Sequence, residues 1–138
     1  PYLLKTSEKI CFVGHSIGSV FILQALNRFQ LQLDSSIFVA PFLSTLHGDQ
    51  WQFDVVNKTF LEQSFDFFAL QKSIGTAYAV HSDNDPYVSV TKSDEFIYDL
   101  GCSRIIVKNG LHLNSEAGYT DFKLIFELCK SRLGLSNS

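Results

Sequence analysis

The stretch Gly14-His15-Ser16-Ile17-Gly18 sets a serine between two glycines in the form G-x-S-x-G. A serine hydroxyl is a poor nucleophile at neutral pH. It attacks an acyl carbon when an imidazole takes its proton and a carboxylate holds and stabilises that imidazole. Candidates for both partners lie downstream: Asp83 and Asp85 in Ser82-Asp-Asn-Asp-Pro-Tyr-Val88, and His112 in Gly110-Leu-His-Leu-Asn. The serine motif alone is weak, since average residue usage places it by chance in about one chain in twenty of this length. Its context has to give it weight.

That context is present. Residues 10–13, Ile-Cys-Phe-Val, are an apolar run of strand length, and Ile17, Val20, Phe21, Leu23, Ala25 and Leu26 then follow helical spacing until Asn27, Arg28 and Gln30. Strand, serine and helix in this order match a nucleophile elbow, where the serine sits on a sharp, strained turn and the glycines keep side chains out of a crowded backbone. Without chemistry, the same residues read as a Gly-rich strand-to-helix turn with a capping serine.

Further along, residues 37–40 predict a second strand ended by Pro41, and strand, helix, strand implies a parallel crossover. Two weakly helical pieces at 54–61 and 66–72 follow a loop, with Phe65, Phe67 and Phe68 read as packing against a sheet. A third strand is expected at 76–81 and a loop at 82–88. Ser89 or Thr91 caps a helix to Leu100, with Gly101 as its stop. A fourth strand at 104–107, a loop at 108–119 and a last amphipathic helix, opened by Thr120 or Asp121 and ending near Leu133, complete the chain.

In a parallel sheet flanked by helices, catalytic groups collect at the carboxyl ends of strands. The loops after strands one, three and four contain Ser16, the Asp83 and Asp85 pair, and His112. Ser, Asp, His is the chain order of α/β-hydrolases. Asp85 is favoured over Asp83, because Pro86 stiffens the chain after it and pushes it toward an extended conformation, whereas Asp83 could serve an Asx-turn. His15, His47 and His81 read as structural or solvated, His15 with its side chain aimed away from the nucleophile.

The 138 residues fit a single domain, 46% hydrophobic and 18% charged, with 13 Phe and no Met. A net charge of −3 and no Lys/Arg cluster argue against nucleic acid. Cys11, Cys102 and Cys129 have no metal-ligand spacing and read as reduced, structural thiols, so neither metal nor cofactor is expected. No apolar run is long enough to span a bilayer and no signal-peptide pattern opens the chain, so no membrane association and a cytoplasmic location are expected.

Together, Gly14-His-Ser-Ile-Gly18, Ser82-Asp-Asn-Asp-Pro-Tyr-Val88 and Gly110-Leu-His-Leu-Asn-Ser-Glu-Ala-Gly118 resemble the small serine hydrolases related to retinoblastoma-binding protein 9, within the α/β-hydrolase superfamily. The resemblance implies an α/β-hydrolase-like three-layer sandwich with a mostly parallel sheet. It implies Ser16 as nucleophile, Asp85 as acid, His112 as base and the Ile17 N–H as an oxyanion donor. A small-molecule ester or amide would be the substrate, and a protein partner is the alternative for a non-catalytic module. One departure is Leu111, where the family has glycine directly before the histidine, which could alter how His112 approaches Ser16. The family also carries a strand, a His-Gly-type loop and a Trp-containing helix upstream of the elbow. None precedes Ile10, so the chain reads as the C-terminal two thirds of the fold, with residues 10–13 expected to lose neighbours and become exposed.

Overall fold

The computed structural model describes residues 8–135. Strands β1 (Cys11–His15), β2 (Ser35–Val39), β3 (Thr76–Ser82) and β4 (Ser103–Val107) form one sheet in the order β1-β2-β3-β4, with every neighbouring pair parallel. Helix α1 (Ile17–Phe29) links β1 to β2, α2 (Trp51–Leu61) and α3 (Phe67–Ser73) link β2 to β3, α4 (Val90–Leu100) links β3 to β4, and α5 (Lys123–Leu133) follows β4.

Side-chain alternation along the strands divides the core in two. On one face Phe38 of β2 and Ala77 and Ala79 of β3 pack with Leu23 and Leu26 of α1, Leu70 of α3, and Phe96 and Leu100 of α4. On the other, Ile37, Val39 and Val80 meet Leu113, with Ile125 and Leu128 of α5 covering them. The result is the expected three-layer sandwich. β2 lies inside the sheet and is buried along its whole length. This explains why Ser35 and Ser36, which hide the strand's start from a reading of hydropathy, still belong to it.

β1 lies at the edge of the sheet, paired only with β2 among the described residues. The expected exposure of its apolar residues is only partial: Val13 is 47% exposed, but Ile10, Cys11 and Phe12 are half-buried against the two core layers.

Helix starts follow local chemistry. Ser89, and not Thr91, caps α4 by accepting the Lys92 N–H, and Asp66 caps α3 through the Ala69 N–H. α2 begins earlier than its sequence pattern suggests, because a 3₁₀ turn at Gly48–Gln50 leads into it and the Asp54 carboxylate accepts the Leu46 and His47 N–H groups. The last helix opens at Lys123 with Phe122 in the capping position, not Thr120 or Asp121.

Cys102 is buried, and Cys11 and Cys129 are half-buried in the layer under α5. Burial pushes the Cys102 thiol up to about 12, and burial together with neighbouring Cys11 pushes Cys129 up to about 11. Cys102 and Cys129 therefore favour the protonated, poorly nucleophilic form.

Candidate active site

Ser16 lies between the end of β1 and the start of α1, with φ 55° and ψ −123°, a backbone region that a side-chain-bearing residue rarely occupies. Its N–H donates to the Val39 carbonyl at 2.7 Å, which ties the turn to β2. A Cβ on Gly14 would lie 2.7 Å from Ile22 Cδ1 and 2.8 Å from the Gly18 backbone, so helix and strand can cross only over glycine. The motif predicts the same requirement at Gly18, but a Cβ there meets nothing within 4 Å. Crowding accounts for one glycine of the motif and not the other. Ile17 is the first residue of α1, so its N–H belongs to the helix turn that has no intrahelical acceptor.

Asp85 follows β3 and His112 follows β4. His112 Nδ1 lies 2.8 Å from Asp85 Oδ2, and the Asp85 side chain is only 2% exposed. Its second oxygen, Oδ1, accepts the Tyr87 and Val88 N–H groups at 2.8 and 3.0 Å. Every oxygen of this buried carboxylate is therefore hydrogen-bonded, as a buried charge requires.

The segment around His112 is strained. Asn109, Leu111 and Leu113 all have left-handed backbones, with φ of 54°, 51° and 52°, a conformation that costs on the order of 1–3 kcal/mol per non-glycine residue and persists only when neighbours hold it. They are held by the residues just before Asp85. Asp83 Oδ1 accepts the Asn109 N–H at 2.7 Å, Ser82 Oγ the Gly110 N–H at 3.1 Å, and Asn84 Oδ1 the Leu111 N–H at 2.9 Å. Four consecutive side chains, 82–85, thus grip residues 109–112. Leu111 takes the backbone form that glycine favours, and His112 still meets Asp85. Gly110 answers a different need, since a Cβ there would press to 2.6 Å from Leu113 Cδ2.

Ser16 and His112 line one cavity of about 230 Å³. Phe42, Leu46, Phe53 and Tyr87 supply its apolar wall, and Asn57, Asn114 and Glu116 its polar rim. The aromatic region after β2 divides accordingly: Phe42 and Phe53 reach the cavity, Phe65 and Phe67 pack on the core, and Phe68 is exposed. The His112 ring is flanked edge-on by Tyr87 at 5.0 Å and by His15 at 4.7 Å between centroids.

The sequence reading aims His15 away from this place. Instead its Nε2 is 2.8 Å from the His112 carbonyl oxygen. The residue is exposed, yet partial desolvation of its ring is the main cause holding its pKa below the usual histidine value. The rule that puts Ser16 at the carboxyl end of β1 applies equally to the residue before it, and that was the available signal. His81 is a core residue, and His47 pairs with Thr45 in a loop. Among the described residues no group of three or more His, Cys, Asp or Glu could hold a metal ion, and no helix is long and apolar enough to cross a membrane.

A parallel sheet between helical layers, with a serine elbow after one strand and an Asp–His pair from two others, defines the chain as an α/β-hydrolase fold. The chain belongs to the serine hydrolase family, whose model matches residues 2–131. Among curated proteins none matches it by sequence. Among solved structures, the ydeN gene product of B. subtilis superposes with a TM-score of 0.79 at 21% identity, over 90% of this chain and 65% of that one. A putative ydeN-like hydrolase from Pectobacterium atrosepticum gives 0.65 at 16% identity, over 97% and 64%. The acylaminoacyl peptidase of Pyrococcus horikoshii gives 0.63 at 19%, over 96% of this chain and 25% of that one. The chain thus spans a little under two thirds of the length of the two ydeN-type structures.

Proposed function

We propose that the protein is a hydrolase that cleaves esters or amides of small acyl groups through an acyl-enzyme intermediate. Ser16 is the nucleophile, His112 the base that takes its proton, and Asp85 the acid that holds His112 in the Nδ1–H tautomer and stabilises the imidazolium. The Ile17 N–H faces the developing oxyanion. After acylation His112 returns the proton to the leaving alcohol or amine, and water enters by the same route. The observation that carries this reading is the buried Asp85–His112 pair at 2.8 Å on a cavity shared with the strained Ser16. The small, mainly apolar cavity supports small acyl groups as the preferred substrates.

Labelling with a fluorophosphonate tests the assignment, since the probe reports an activated serine whatever the natural substrate. The 138-residue chain should label, and Ser16→Ala should not. Equal labelling of the Ala variant would remove Ser16 from the role.

A further inference from the structure

We propose that His15 is a positioning residue for His112, an inference that rests on the hydrolase reading above. A carbonyl oxygen can only accept, so the 2.8 Å contact from His15 Nε2 to the His112 carbonyl requires the proton on Nε2. That fixes His15 as the Nε2–H tautomer, with Nδ1 bare while the ring is neutral.

The contact falls where the backbone has most to gain from it. His112 sits between two leucines with left-handed backbones, Leu111 and Leu113. The amides of the three preceding residues are gripped by Ser82, Asp83 and Asn84. His15 adds a hold on the carbonyl of His112 itself, and its ring abuts the imidazole at 66° to its plane, while Asp85 holds the same imidazole through Nδ1. Because His15 immediately precedes Ser16, this contact ties a side chain of the elbow directly to the backbone of the base. The two reacting side chains then move as one unit, although 97 positions separate His15 from His112.

The groups facing His15 are the His112 imidazole and the Asp85 carboxylate, and although the residue is exposed overall, partial desolvation of its ring favours the neutral form. A neutral neighbour suits the chemistry, because His112 becomes positively charged in the transition state and a second imidazolium beside it would oppose that charge.

The test uses the whole chain, with fluorophosphonate as the probe and its inactivation rate separated from its binding constant. His15→Phe keeps a ring and loses the donor, whereas His15→Gln keeps a donor. We expect the Phe variant to inactivate about ten-fold more slowly with unchanged probe binding, the value of one hydrogen bond, and the Gln variant to recover most of the rate. A Phe variant as fast as the unsubstituted chain, or a Gln variant no better than Phe, overturns the inference. Nitrogen NMR of the unsubstituted chain provides a second reading that needs no variant: a His15 protonated on Nδ1 alone also overturns it. An unsubstituted chain that fails to label overturns the hydrolase reading instead. A chain that labels, paired with an unaffected Phe variant, overturns only the role of His15.

Discussion

The two aspartates of the Ser82-Asp-Asn-Asp85 segment differ in what each carboxylate holds. Asp85 is buried and holds the imidazole, while Asp83 is exposed and holds a backbone amide. Asp85→Asn presents an amide that can leave His112 in the wrong tautomer, and turnover of a test ester should fall by about 10⁴. Asp83→Asn keeps an acceptor for the Asn109 N–H, so its loss should stay within about ten-fold. Comparing kcat for the two variants decides the matter, and equal losses would transfer the role to Asp83. The preference for Asp85 is legible in the sequence, because proline after it favours an extended backbone. The grip of Ser82, Asp83 and Asn84 on residues 109–111 is not, since it joins two loops through side-chain and amide pairs that leave no periodic trace along the chain.

At the level of elements, the strands and helices are legible where hydropathy alternates or repeats, and obscured where burial and polarity disagree. β2 starts two residues before its apolar run because Ser35 and Ser36 are buried between neighbours on both sides, Ser36 Oγ donating to the Ile74 carbonyl at 2.8 Å. β1 runs on through Gly14 and His15 because they still pair with Phe38 and Val39. α2 gives a weak signal for the opposite reason: none of its residues is buried, with Val55 64% and Val56 76% exposed, so its apolar positions do not mark an inward face. The elbow offers a sharper test of how strand and helix meet. Gly14→Ala forces a Cβ into the Gly18 backbone and should destabilise the chain by several kcal/mol or abolish folding, as overpacking does. Gly18→Ala has open space and removes helix-disfavouring glycine, so it should be neutral or stabilise by up to about 1 kcal/mol. Urea unfolding of both variants measures the difference, and a Gly18→Ala loss matching that of Gly14→Ala would refute this account of the turn.

Across the described molecule, residues 8–135, the two edges of the sheet are guarded unequally. β4 carries Arg104, paired with Asp94 of α4, and such charges discourage added strands. β1 has the sequence Cys-Phe-Val-Gly-His, with no Lys, Arg, Asp or Glu, and Val13 is open. The isolated 138-residue chain should therefore self-associate, two copies meeting antiparallel about a two-fold axis perpendicular to β1. Sedimentation should show mass rising with concentration, and Val13→Lys should lower it. A chain that stays monomeric throughout would contradict the expectation. The order of the strands has a different consequence, one of timing. Because β1, β2, β3 and β4 lie side by side in the order in which they are synthesised, each strand after β1 leaves the ribosome to find its template already laid down. The serine elbow can form early, but the imidazole arrives only after β4 has docked. A nascent chain that stalls before residue 112 carries the Ser16 turn but not the imidazole proposed as its base, so on that proposal the serine gains its base only in molecules built beyond β4.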